Sequence, residues 1–201
     1  MIEEFQATLA SQIIEVVKQV TEKGSLKVKF WSQDEARFGL LPIIRRRITA
    51  KGVQPIKQAE YNFENFYLDG LTEVLSGEKF FLELPFVNGE CFKLFMREFL
   101  ESGDEQTVHV IFLDNASFHS KSYFEKVKNV VFINFPPYSP ELNPIERFWR
   151  DMKDWLAEKE IRSLEELSDL IMEKLRSYTT EKIKSLTGFQ YLVTACQNAI
   201  A

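Results

Sequence analysis

The spacing of hydrophobic and polar positions changes along this chain, and each change marks an element. Over residues 2–22, Ile2, Phe5, Leu9, Ile13, Val16, Val17 and Val20 recur at helical spacing, which predicts an amphipathic helix ended by Gly24. From Leu26 to Gln33 the period falls to two, with Leu26, Val28 and Phe30 alternating against Lys27, Lys29 and Trp31, so a strand is expected. Residues 61–74 and 79–84 read as two strands joined at Ser76-Gly77-Glu78, a hairpin. Asn88 starts a helix of about 14 residues through Phe92, Leu94, Phe95, Phe99 and Leu100. The run Val108-His-Val-Ile-Phe-Leu-Asp114 is nearly all apolar, which suits a central strand buried on both faces. A short helix over 120–128 and a strand over 130–134 follow. After a proline-rich loop come a helix from Pro144 to Glu158, another behind the capping-box pattern Ser163-Leu-Glu-Glu166, and one or two more. Antiparallel strands first and strand–helix–strand crossovers afterwards predict a mixed α/β sheet with helices on both faces.

Composition narrows the picture. The 201 residues, 45% hydrophobic and 13% aromatic, suffice for one large domain with a sizeable core. The formal charge of -5 means that the surface as a whole does not advertise nucleic-acid binding, so any such contact must come from local basic clusters or through metal. Cys91 and Cys196 lie far apart without metal-ligand spacing and read as reduced thiols of a cytosolic protein. The acidic start Met1-Ile-Glu-Glu is unlike a signal peptide, and no apolar run reaches the roughly 18 residues of a membrane span.

Candidate chemistry lies in three carboxylates. Asp34 and Asp114 are each expected at the carboxyl end of a hydrophobic strand. Their parity agrees: Asp34 shares a face with Val28 and Phe30, and Asp114 with Val110 and Phe112. Neighbouring parallel strands lie about 4.8 Å apart, so the two acids would meet at the sheet's carboxyl edge. Two close carboxylates repel unless a cation separates them, and hard oxygen ligands select Mg²⁺ or Mn²⁺. Glu146 is the third candidate. It sits in the first turn of a helix whose stripe is Ile145, Phe148, Trp149, Met152, Trp155 and Leu156. The same residue closes a second pattern: Asn143 as N-cap, Pro144 at the first helical position and Glu146 completing a capping box. On local sequence alone the cap is the stronger reading; the joint placement of the three acids favours metal.

Three stretches carry a resemblance. Trp31-Ser-Gln-Asp-Glu-Ala-Arg-Phe-Gly39, Leu113-Asp-Asn-Ala-Ser-Phe-His119 and Pro136-Pro-Tyr-Ser-Pro-Glu-Leu-Asn-Pro-Ile-Glu-Arg-Phe-Trp149 resemble, in order, the blocks of the DDE catalytic domain of mariner-like transposases, in particular the bacterial insertion-sequence branch. The resemblance implies a ribonuclease-H-like mixed five-stranded sheet. It implies a triad of Asp34, Asp114 and Glu146 with two Mg²⁺ or Mn²⁺ ions, cleavage at transposon ends and transfer into target DNA, typically at TA. It also implies a homodimer on DNA and a bacterial cytosolic or nucleoid location. The expected division is a helix and linker over 1–24, the catalytic domain over 25–160, and helices over 161–201 packed on that domain. Only the helix at 2–22 precedes the first catalytic strand, so a separate N-terminal helix-turn-helix half is the expected partner. The Asp114-to-Glu146 spacing is a few residues shorter than is common in the family. Two rival readings are a catalytically silent DNA-associated derivative and a ribonuclease-H-like nuclease without joining activity.

Other residues follow from the same frame. Arg45, Arg46, Arg47 and Lys51 form the best basic patch, read either as a solvated loop or as phosphate contacts. Arg37 is expected to pair with a carboxylate or clamp a phosphate. His119, which the family also has at this place, is a candidate DNA or water contact. Glu35 should point away from Asp34 and can only support it. Tyr138 is expected to pack within the proline loop, with base stacking as the alternative.

Overall fold

The computed structural model describes residues 2–21, 27–40, 51, 63–104, 106–119, 121–124, 127 and 129–201. Its elements are α1 (Ile2–Thr21), β1 (Lys27–Gly39), β2 (Asn65–Glu73), β3 (Lys79–Leu84), α2 (Gly89–Ser102), β4 (Thr107–Leu113), β5 (Val130–Asn134), α3 (Ile145–Leu156), α4 (Leu164–Ser177), α5 (Thr180–Thr187) and α6 (Gln190–Ile200). The strands form one five-stranded sheet in the order β3-β2-β1-β4-β5. β3, β2 and β1 pair antiparallel, whereas β1, β4 and β5 pair parallel.

The alternation read in the sequence sorts this sheet into two faces. Phe30, Val110 and Phe112 pack with Leu9 and Ile13 of α1 and with Leu192 and Cys196 of α6. Further along the same face Ala36 and Phe38, with Phe66 and Leu68 of β2, lie under Ile145, Phe148, Trp149 and Met152 of α3 and under α4 and α5. Trp31, Leu71, Ile111 and Leu113 point the other way, onto Phe92, Phe95, Met96 and Phe99 of α2. β4 is buried at every residue, as its nearly all-apolar run predicts.

Local signals account for the boundaries. Asn88 Oδ1 accepts from the Cys91 N–H at 2.9 Å, and Ser163 Oγ accepts from the Glu166 N–H at 3.1 Å. Glu166 reaches back to the Arg162 N–H at 2.9 Å, one residue beyond a capping box. The hairpin turns at Gly77, whose φ of 75° favours glycine. Cys91 and Cys196 are free thiols. Among the described residues no helix is long and apolar enough to cross a membrane.

Two elements differ from the sequence reading. β1 does not end near Asp34 but runs on to Gly39, because residues 35–39 pair with Asp69–Asn65 of β2 after β4 has ended. The helix expected over 120–128 is, among the described residues, a 3₁₀ turn at Lys121–Phe124. Phe124 docks edge-on against Phe92 and Phe132.

Gly70 faces Asp34 across the β1–β2 ladder, and a Cβ there would stand 2.5 Å from Phe81 Cε1 and 2.8 Å from Trp149 Cη2. The missing side chain leaves the space that the Phe81 ring and the Trp149 indole occupy. Gly70→Ala is therefore expected to cost about 1–3 kcal/mol by overpacking. Thermal unfolding checks this, with the midpoint falling by about 2–4 °C per kcal/mol for a chain of this size.

Candidate active site

The β1–β4 register brings two of the three acids together. Pairing runs from Lys27 with Thr107 to Ser32 with Phe112. Continued by two residues, the same register sets Asp34 opposite Asp114, just past the last residue of β4. The turn that carries Asp114 is tied down on both sides. Asp114 Oδ1 accepts from the Ala116 N–H at 2.8 Å, and Asn115 Nδ2 donates to Phe135 O at 2.7 Å. The Asp114 side chain itself remains 58% exposed.

The proline loop delivers the third. Asn143, buried at the loop's end, donates from Nδ2 to Gln33 O at 2.8 Å, which binds the loop to β1 beside Asp34. Tyr191 of α6 donates to Leu142 O at 2.5 Å and holds the 3₁₀ turn Pro140–Leu142 from behind. The expected capping box does not form, because the Asn143 N–H donates to Pro140 O at 3.0 Å. Asn143 Oδ1 accepts from the Ile145 N–H at 3.4 Å, and the N-cap residue of α3 is Pro144, which makes no side-chain cap. Glu146, half-buried in the first turn of α3, is thus not used to close the helix. One turn on, Trp149 Nε1 donates to Asp34 Oδ2 at 3.0 Å, so α3 touches the first acid directly.

Electrostatics link the three. Asp34 holds its proton well above the usual carboxylate range. Burial is the main cause; the charges of Glu35, then Glu146, and lastly Asp114 add to it, against the Glu35 backbone N–H, which lowers it. Among the described residues no three His, Cys, Asp or Glu side chains stand close enough together to hold an ion in this arrangement. The donor set nonetheless fits a divalent metal: all are hard oxygens, and their crowded negative charge is what a dication relieves.

A second polar group lies beneath, on the α2 face. Glu35 accepts from Gln33 Nε2 at 2.9 Å and from the His119 ring N–H at Nε2, also at 2.9 Å. Gln33 Nε2 also donates to Asp69 Oδ1 at 3.1 Å. His119 is 7% exposed, so its ring lies in the interior rather than on a DNA-facing surface. Sequence reasoning passed over Asp69, Gln33 and Trp149; the one available signal was an acid between Leu68 and Leu71 in an apolar strand. Arg37 is exposed and, among the described residues, forms no ion pair; Lys51 is an exposed turn residue. Arg45, Arg46 and Arg47 lie outside the described residues. Tyr138 does not pack in the loop: it is fully exposed, with φ 58°.

Burial, the charge of Glu35 and its hydrogen bond push the Asp69 carboxyl up to about 9. The folded state then keeps a proton that the unfolded state releases near pH 4. Stability contributed by this proton is full below that pH and is lost as pH rises toward about 9. Asp69→Asn is expected to remove up to about 1.4 kcal/mol per pH unit of that slope, measured by denaturant unfolding between these limits.

Comparison with known proteins places this geometry. The family described as DDE superfamily endonuclease matches residues 29–168. An uncharacterized protein of Sinorhizobium fredii, y4pE/y4sA, is 29% identical over 102 residues, covering 50% of this chain and 76% of that protein. The Mos1 mariner paired end complex with Mn matches with a TM-score of 0.65, and the Mos1 Strand Transfer Complex with 0.64. Both are 16% identical and cover 98% of this chain, which spans 61% of those chains. The Mos1 transposase catalytic domain with Raltegravir and Mn matches with a TM-score of 0.60 at 16% identity, covering 98% of this chain and 94% of that one. At such identity the likeness is one of fold, and it bears out the ribonuclease-H-like mixed sheet with helices on both faces. With more than half its length matched by the family, the chain belongs to the DDE superfamily endonucleases.

Proposed function

We propose that this chain is the catalytic domain of a cut-and-paste DNA transposase, performing metal-dependent strand cleavage and strand transfer through Asp34, Asp114 and Glu146. The observation that carries this reading is the register: the β1–β4 ladder, continued two residues past Ser32, sets Asp34 opposite Asp114, and Asn143 binds the start of α3, which bears Glu146, to Gln33 O beside Asp34. Family membership supports it, and so does the fold shared with Mos1 transposase, which is described in paired-end complexes with Mn and with Mg. Asp34, Asp114 and Glu146 would hold two Mg²⁺ or Mn²⁺ ions. When bound, such ions polarise a phosphate and lower the pKa of a water or hydroxyl nucleophile.

The chain's own residues do the positioning. Trp149 fixes one oxygen of Asp34, the Ala116 N–H fixes one of Asp114, and neither contact engages the second oxygen. Asn143 ties the start of α3 to β1, so Glu146 and Asp34 keep one spacing. The proposed partners are DNA with transposon ends and TA-containing target DNA, a second copy of the chain on that DNA, and a separate N-terminal DNA-binding half. Mos1 itself is described in a paired-end complex with the left transposon end. Arg37, Lys51, Arg45, Arg46 and Arg47 are the proposed phosphate contacts. A catalytically silent derivative is the rival reading, favoured by the fact that no three ligand-type side chains among the described residues are gathered for an ion.

Cleavage and joining on DNA bearing the element's ends, with the DNA-binding half supplied, separate these readings. Both steps are expected to need Mg²⁺ or Mn²⁺ and to be abolished by Asp34→Asn, Asp114→Asn or Glu146→Gln. Glu146→Gln should leave unfolding free energy within about 0.5 kcal/mol of wild type, since the residue closes no cap. An inert wild-type protein would support the silent derivative, and cleavage without joining would identify a nuclease.

A further inference from the structure

The pair Glu35 and His119 lies outside the three carboxylates yet reaches one of them. His119 follows the turn after β4 and folds its ring back beneath the sheet edge, with 1% of the side chain exposed. The ring is clamped between Phe92, at 4.7 Å between centroids, and Phe118, at 4.5 Å. Nε2 is 2.9 Å from Glu35 Oε1, and Nδ1 is 3.2 Å from Asp114 Oδ1. The second contact is within ion-pair distance but is not aligned as a hydrogen bond, so Nδ1 is left as a buried polar atom without one. With Nε2–H given to Glu35, Nδ1 donates to Asp114 only from a ring that carries both hydrogens, as an ion pair requires.

Glu35 is positioned to hold the ring and not to join the acids above it. It alternates with Asp34 along β1 and so faces α2, and Gln33 fixes the oxygen that His119 also meets. Resting on the function proposed above, we infer that Glu35 and His119 are positioning residues that orient the Asp114 carboxylate for a divalent ion. Oδ1 is the oxygen that accepts from the Ala116 N–H and faces Nδ1 of the His119 ring, and neither contact engages Oδ2. Partners of metal ligands act in this way, and their loss typically lowers metal affinity about 10–100-fold.

The test is Mn²⁺ binding to the whole chain without DNA, followed by the electron paramagnetic resonance signal of free Mn²⁺, with thermal unfolding measured alongside. His119→Gln keeps an amide where Nε2 meets Glu35 but has nothing in place of Nδ1. It is expected to retain the unfolding midpoint and lose about tenfold in Mn²⁺ affinity. Glu35→Gln and Glu35→Ala remove the same charge, but only the alanine removes the acceptor for His119. Affinity is therefore expected to fall about tenfold further in Glu35→Ala than in Glu35→Gln. That second comparison stands even if the His119 variant fails to fold. Wild-type affinity in His119→Gln, or equal affinity in the two Glu35 variants, overturns the inference. If Asp114→Asn loses Mn²⁺ in the same series, the proposed function survives that result. A folded wild-type protein that binds no Mn²⁺ overturns both.

Discussion

Parallel pairing of β1 with β4 governs the rest of this molecule. The ladder advances one residue against one residue from Lys27 and Thr107, and β4 ends at Leu113 while β1 continues along β2. Beyond Ser32, β1 therefore has a neighbour on one side only. The overhang opens a notch at the carboxyl edge of the parallel strands, where open α/β sheets place ligands. Asp34 lies on its floor, Asp114 at its rim, and α3 crosses it with Glu146 in the first turn. A shift of the ladder by one residue would turn Asp34 to the α2 face and leave Glu35 in its place. Register, more than any single contact, selects which acid faces α3.

Two consecutive acids on one strand send charge through both faces of the sheet, and each face answers differently. Above, Asp34 has the Trp149 indole and two further carboxylates, so burial and repulsion keep its proton on. Below, Glu35 has Gln33, His119 and an Asp69 that is itself protonated at neutral pH. The lower group meets its acid with the Gln33 and His119 donors. The upper one remains electrostatically incomplete, since the Trp149 N–H is one donor set against the charges of Glu35, Glu146 and Asp114. Gly70 connects the two requirements, because only a residue without a side chain leaves the indole room above Asp34.

Periodicity made most of the fold legible. Strands β2 to β5, the helices after the proline loop and the shared parity of Asp34 with Asp114 all follow from which positions are apolar, because burial imposes that pattern directly. Pairwise facts were not legible. The extension of β1 depends on β2, which lies far along the chain. The contacts among Gln33, Glu35, Asp69 and His119 need the strands to be aligned first. Glu146 was ambiguous because a cap and a ligand ask for the same residue at the same place. The Asn143 N–H settled the cap by bonding to Pro140 O instead. Tyr138 misled in the opposite direction: an aromatic among prolines suggests packing, whereas its φ of 58° throws the ring into solvent.

The net charge of -5 sharpens what this notch requires of any phosphate partner. Asp114 and Glu146 flank Asp34 at one sheet edge, and a phosphodiester brought there adds charge of the same sign. Coulomb repulsion at contact distance amounts to several kcal/mol per pair at the effective dielectric of a protein surface, far above thermal energy. The exposed Arg37 and Lys51 stand nearby in sequence, but neither has an ion pair with these acids among the described residues. Under the proposed function the cation has to arrive with the substrate or before it. A bound cation would offset the burial and the neighbouring charges that raise the proton affinity of Asp34, so metal binding there favours the carboxylate over the acid.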